Sequence, residues 1–332
     1  MKLHRNIKIF INYFLGPLLF VWLSWSIYQQ VRRQPGLDQA WLQIRASFSS
    51  PLIWNLIIVI LLMFVNWSIE AVKWRMSIQK IQPVSFGKAI KAVLSGVSFS
   101  VSTPNRMGEY LGRVLYMDEG NRLKTISLTI VGSLSQLIVT LLMGGLGLLI
   151  LQPGIEKAGF ISPLWFRVIL WGTGGAILVL TLFYFRLPWL IKWVDRLPGN
   201  KRFIYLVRAL EDFSASLLLR LLSLSVLRFV VFIIQYYLLF RLFNVDIGWW
   251  QVFWTVSVSF LVMAVIPTIA IAELAQRGKV VTTIVGLYSA NGLGMTFATA
   301  GIWFINLIVP AIVGSLLILS IKKLYAAQKE DH

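Results

Sequence analysis

The sequence predicts an all-α, polytopic helical membrane bundle of about eight spans, built as two related halves with re-entrant segments. Three observations carry that reading. The 332 residues are 58% hydrophobic and only 13% charged, whereas soluble domains are about half apolar and about a quarter charged. The apolar residues are gathered into uncharged runs at 9–31, 51–69, 126–151, 168–185, 247–272 and 280–321, of lengths suited to a hydrocarbon layer about 30 Å thick. These runs lack the two-residue alternation of lipid-facing strands, and helices satisfy their own backbone polar groups in lipid.

Taken in order, residues 1–50 form an N-terminal anchor span and loop. Lys2, Arg5 and Lys8 precede an apolar run too long for a signal-peptide core, with no small-residue cleavage pattern after it, so the anchor is expected to be retained. Residues 51–185 make a first half, 186–220 a basic cytoplasmic linker, and 221–332 a second half of a single integral membrane domain, 1–332. Basic residues set the orientation. The stretch 73–91 holds Lys73, Arg75, Lys80, Lys88 and Lys91 without an acid, and the linker carries seven more basic residues, including Arg186 and Arg220. By contrast, 152–162 and 244–248 are nearly free of them. The positive-inside rule then puts the basic segments and both termini in the cytoplasm of a cell expected to hold this chain in its cytoplasmic membrane.

This orientation requires that 92–105, an uncharged run of only 14 residues, dips into the membrane without crossing, broken by Gly96, its serines and Pro104. The 42 residues of 280–321 are long enough for two crossings, with a turn near Asn291–Gly301.

Several function classes are excluded. There is no cysteine, and the two histidines are His4 and His332. That removes thiolate ligands, HExxH metal sites, Ser-His-Asp triads and imidazole relays. No metal, cofactor or catalytic residue is expected, and the chain is read as no enzyme. The net charge of +18 fits the positive-inside rule and anionic lipid rather than nucleic acid.

The polar residues that remain are candidates for binding. Residues 104–113 read PNRMGEYLGR and 267–277 read PTIAIAELAQR. Each has a proline, a glutamate five or six residues on, and an arginine four residues later, a partial internal repeat. Glu109 and Arg113 meet on one helix face and Arg106 joins them. Gly108 and Gly112 allow close approach by a neighbouring helix or a ligand. A helix started by Pro104 beside two arginines would suit an anionic headgroup phosphate. An interfacial ion pair that pins a loop is the plainer reading, and the repeat at Glu273 and Arg277 tips the balance towards two facing half-sites. Asn66, Glu70 and Lys73 share a face at the end of the second span. Glu70 is expected to pair with Lys73 or a distant arginine, while snorkelling would account for Lys73 and Arg75 around an interfacial Trp74. Arg228, inside the apolar segment 221–240, either pairs with an acid or sits shallow near the cytoplasmic face, the latter being preferred. The glycines at 144, 145, 147, 172, 174, 175, 292 and 294 read as packing positions, and Trp249, Trp250 and Trp254 as an interface belt.

Glu70 with Lys73-Trp74-Arg75, and Pro104-x-Arg106-x-Gly108-Glu109-x3-Arg113, resemble one family: the transmembrane region of lysylphosphatidylglycerol synthases, a flippase-like family with stand-alone members. The resemblance implies a lipid translocase moving a phospholipid or lipid-linked headgroup between leaflets. Glu70, Arg106, Glu109, Arg113, Glu273 and Arg277 would be its substrate-binding residues, and membrane lipids, anionic or with a lipid-linked headgroup, its partners. Synthase activity belongs to a separate soluble domain and is not implied. Two alternatives stay open: a membrane partner of a separately encoded transferase, and an intramembrane enzyme acting on lipid headgroups.

Overall fold

A computed structural model describes residues 25, 28, 29, 32, 37–101, 103, 107–186, 210, 213–266 and 270–330. The expected first span, 9–31, lies almost wholly outside that set, as do Pro104, Arg106, Pro267 and residues 187–209 of the basic linker. Among the described residues there is no strand. The helices are α1 (Leu37–Ser47), α2 (Ile53–Ile78), α3 (Phe86–Val101), α4 (Gly108–Val114), α5 (Arg122–Ala158), α6 (Pro163–Phe185), α7 (Ala215–Leu242), α8 (Trp249–Val265), α9 (Ala270–Val285), α10 (Gly292–Trp303) and α11 (Val309–Glu330). A π-turn, Phe304–Ile308, joins α10 to α11.

Among the described residues, five stretches are long and apolar enough to cross a membrane: Ile53–Ile78, Glu119–Ala158, Pro163–Phe185, Ala215–Leu242 and Gly292–Leu319. The shortest has 23 residues, which at 1.5 Å per residue is about 35 Å. The protein is an all-α, multi-pass membrane bundle.

Two local expectations are corrected. The run 280–321 does not turn near Asn291–Gly301. It breaks earlier, between Val285 and Gly292, and then continues helically to Glu330. Asn291 starts a helix there instead of ending one: its Oδ1 accepts from Gly294 N at 2.9 Å, the usual N-cap bond. Gly96 does not break α3, which runs unbroken from Phe86 to Val101.

The chain divides into two compact units. Unit one comprises segments 1–63, 140–175 and 230–305; unit two comprises 64–139, 176–229 and 306–332.

In unit one, α8 packs on α9, α9 on α10, and α10 on α1. Gly144 and Gly147 face α8 so closely that a Cβ on Gly147 would lie 2.8 Å from Val258 Cγ2. Both act as the packing positions their spacing suggests. Gly172, Gly174 and Gly175 do not, since a Cβ on any of them would meet nothing within 4 Å. The end of α7 is set by Asn244, whose φ of 54° is a left-handed conformation that asparagine tolerates. Val245 N then reaches back to Phe240 O at 2.9 Å, satisfying a carbonyl that the helix end leaves over. Asn291 ties this corner to α10 by donating from Nδ2 to Phe243 O (3.1 Å) and Asn244 O (2.9 Å). Asn291→Ala removes the cap and both donations, and is expected to lower stability by about 1–2 kcal/mol. Thermal unfolding in detergent checks this, with Asn291→Asp retaining the cap and falling between the two.

In unit two, α3 packs on α4 and on α11. The approach of α3 to α11 is close, because Gly314 abuts the backbone at Leu94 and the Ser98 and Ser315 hydroxyls bond at 2.6 Å. Ser135 and Ser225 hydroxyls bond at 2.7 Å, and Tyr184 Oη donates to Leu218 O at 2.9 Å. Such interhelical polar contacts stand in for the hydrophobic driving force that lipid removes.

Each unit contains a helix of 16 or 17 residues followed by one with Glu-x3-Arg in its first turns. In unit two these are α3 and α4, with Glu109 and Arg113; in unit one they are α8 and α9, with Glu273 and Arg277.

Candidate functional site

On α2, Asn66, Glu70 and Lys73 fall at i, i+4 and i+7, so helical geometry alone puts them on one stripe. All three are buried, at 0%, 7% and 1% relative exposure. A carboxylate inside a span needs compensation, and Glu70 receives it from three directions. Its Oε1 accepts from Arg113 Nη2 at 2.9 Å. Its Oε2 accepts from Arg228 Nη1 and lies 3.6 Å from Lys73 Nζ. Arg113 comes from α4 and Arg228 from α7, so one carboxylate holds three helices of unit two together.

The cations are fixed in turn. Arg228 Nε donates to Asn66 Oδ1 at 2.8 Å, and its guanidinium lies 5.5 Å from the Trp67 ring centroid, a cation–π distance. Asn66 Nδ2 donates to Asn306 Oδ1 at 3.4 Å, and Asn306 sits in the π-turn, a feature often found at functional positions. Lys73 Nζ donates to Gly132 O at 3.2 Å. Arg113 also reaches Glu109 Oε2 at 3.4 Å.

Arg113 is held at this depth by glycine. Gly108 and Gly112 of α4 press against the backbone of α3 at Phe99 and Gly96. The neighbour their spacing anticipated is therefore a helix. The expected helix start at Pro104 is corrected as well: α4 begins at Gly108 and has seven residues. Its Gly108 N–H donates to Thr103 Oγ1 at 2.7 Å. Ser95 and Tyr116 bond through their hydroxyls at 2.9 Å beyond the other end of α4.

The cluster thus gathers Glu70, Glu109 and Arg113 from the expected set. Arg106 lies outside the described residues. Two expectations on α2 fail: Lys73 does not snorkel to the interface, and Trp74, 2% exposed, is a core side chain. Both point inward because the stripe that carries Glu70 faces protein; only Arg75 is exposed. Arg228 pairs with an acid, the alternative not preferred from the sequence, since Glu70 and Asn66 supply acceptors that an apolar segment lacks. Asn306 was not singled out in the sequence, although an asparagine inside a 42-residue uncharged run was the available signal.

Counting formal charges, Lys73, Arg113 and Arg228 oppose Glu70 and Glu109, which leaves one positive charge in excess. Arg113 Nε is buried and donates to nothing. The most open member is Glu109, with 22% of its side chain exposed, against 3% for Arg113. The arrangement is a cluster of net positive charge with a carboxylate acceptor at its rim.

Glu273 and Arg277 belong to unit one, where Arg277 Nη2 donates to Glu273 Oε1 at 2.6 Å. Their side chains are 10% and 14% exposed, so this pair too lies in the interior.

The model of the lysylphosphatidylglycerol synthase TM region matches residues 13–317. The chain belongs to that family. The match takes in both Glu-x3-Arg helices, all of α2 and Arg228, so the buried cluster sits within the family's membrane region. Among curated proteins none matches the chain. Membership in the lysylphosphatidylglycerol synthase TM family assigns the protein a membrane-lipid context and a multi-pass membrane location.

Proposed function

We propose that this protein is a lipid translocase that moves an anionic phospholipid, or a lipid-linked headgroup, across the cytoplasmic membrane. The observation that carries the reading is the cluster around Glu70, where the buried Lys73 and Arg113 and the partly buried Arg228 face two carboxylates. A phosphate would supply the missing negative charge and the acceptor for Arg113 Nε, through the charge-assisted bonds that guanidinium groups make with phosphate. Ionisable groups inside a span are costly and commonly mark functional positions, and headgroup recognition gives these a purpose. Glu109, at the rim, would hold Arg113 ready until the phosphate arrives.

The family's description as the membrane region of a synthase favours a second reading, a membrane partner for a separately encoded transferase. Reconstitution discriminates between the two. In liposomes carrying fluorescent phosphatidic acid or phosphatidylglycerol, the protein should expose inner-leaflet label to a membrane-impermeant quencher faster than empty vesicles do. Glu109→Gln and Arg113→Lys, purified as monodisperse protein, should lose most of that rate, about tenfold or more. A scaffold would tolerate both changes. Rates equal to those of empty vesicles for every headgroup would overturn the translocase reading.

A further inference from the structure

The polar strip on α9 differs in kind from the cluster on α2. Glu273 and Arg277 cancel each other's charge. Gln276 lies between them in sequence and is only 6% exposed, yet neither its Nε2 nor its Oε1 makes a hydrogen bond. Arg277 Nε and the Tyr236 hydroxyl beside that guanidinium are likewise buried, and neither makes a hydrogen bond of normal geometry. An amide with both atoms unmet is rare in a native interior and calls for a partner. The ring of Phe260, with its centroid 6.0 Å from the Arg277 guanidinium carbon, borders this strip, and Tyr236 packs edge-on against Phe260 at 5.8 Å.

We infer that Gln276 and Arg277, beside Glu273, form a separate binding site for an uncharged, hydroxyl-bearing group of the sugar or polyol class. The unmet atoms set that class: two donors, Gln276 Nε2 and Arg277 Nε, one acceptor, Gln276 Oε1, and the Tyr236 hydroxyl, which can do either. A hydroxyl both donates and accepts, and vicinal hydroxyls answer all four. The phosphate of a diester only accepts; it would leave Gln276 Oε1 unmet and bring a second negative charge towards Glu273. The two units therefore divide recognition, charge going to the α2 cluster and hydroxyls to the α9 strip. This holds whether or not the protein moves lipid, because it concerns binding alone.

Thermal unfolding of the full chain in detergent tests it. The probes are dioleoylglycerol, monoglucosyl-dioleoylglycerol, free glucose and dioleoyl phosphatidic acid. The glucosyl lipid should raise the midpoint above that of dioleoylglycerol by a few degrees, on the order expected for a saturated site. Gln276→Leu should abolish that rise, keep the response to phosphatidic acid, and itself unfold no lower than wild type, because it deletes unmet polar atoms. Gln276→Met, of similar length, serves the same purpose should the leucine variant misfold. A rise with free glucose as large as with the glucosyl lipid supports the site and makes its ligand a free sugar. Equal midpoints with glucosyl lipid and dioleoylglycerol, with no effect of glucose, overturn the proposal, as does a glucosyl response that survives both variants.

Discussion

Glu70→Ala is expected to destabilise unit two more than any other single polar substitution in it. The change strands Lys73, Arg113 and Arg228, whose side chains are 1%, 3% and 11% exposed, with only the rim carboxylate of Glu109 nearby. Removing one partner of a buried pair typically costs about 3–5 kcal/mol, because the remaining charge stays desolvated. Here one carboxylate serves three cations on three helices, so the loss should reach at least that range. Glu70→Gln keeps the shape but not the charge, and should behave nearly as badly. The diagnostic variant is the double one: Glu70→Leu with Arg228→Leu removes the carboxylate and one stranded cation together. It should unfold at a higher temperature than Glu70→Leu alone, giving a positive coupling energy in a double-mutant cycle. Detergent-solubilised protein followed by size exclusion after heating gives both numbers. A Glu70→Ala protein as heat-resistant as wild type would mean that the three cations find other partners and that the cluster is not the anchor of unit two.

What could be read in advance follows from which physics acts locally. The Asn66–Glu70–Lys73 stripe and the Glu109–Arg113 pair were legible because i,i+4 spacing is a property of one helix. The pairing of Glu70 with a distant arginine was foreseeable as a need, since a carboxylate in a span must be met. That the arginine includes Arg228 was not, because nothing in 221–240 marks which face of that helix meets protein. Lipid tails and neighbouring helices are equally apolar, so hydropathy locates a span without orienting it. The same ambiguity explains the glycines. Gly144 and Gly147 pack, while Gly172, Gly174 and Gly175 open onto empty space, though all five share one composition signal. It explains Lys73 and Trp74 too, which the snorkelling rule places at an interface and the fold places in the core. The misplaced turn near Asn291 has a different origin. Asparagine serves turns and N-caps alike, and only the tertiary contacts to Phe243 and Asn244 decide between them.

The second large effect is expected from Gly112→Ala, which adds a single methyl group. Gly112 sits where α4 crosses α3, and an added Cβ would overlap the backbone at Gly96 and lie 2.5 Å from the Ser95 carbonyl carbon. The contact is reciprocal, since a Cβ on Gly96 would lie 2.7 Å from Glu109 O. Backbone atoms cannot rotate out of the way as a side chain can, so one helix must move. Overpacking of this kind typically costs about 1–3 kcal/mol. The functional penalty should exceed the stability penalty, because Arg113 is the next residue. Its 2.9 Å bond to Glu70 Oε1 and its 3.4 Å contact with Glu109 Oε2 both depend on α4 lying flush against α3. A shift of about 1 Å is enough to break a well-formed hydrogen bond, and would detach the one cation that joins the two carboxylates. Gly87→Ala is the matched control: the residue lies in α3, the helix that α4 crosses, but an added Cβ there meets nothing within 4 Å. That variant should be neutral or slightly stabilising, by up to about 1 kcal/mol, through helix propensity alone. Comparing the two in unfolding and in liposome transport separates the addition of a methyl group from its position. If Gly112→Ala matched Gly87→Ala in both, the flush contact would not be what holds Arg113 against Glu70, and the deep placement of that arginine would have to come from α2 and α7 instead.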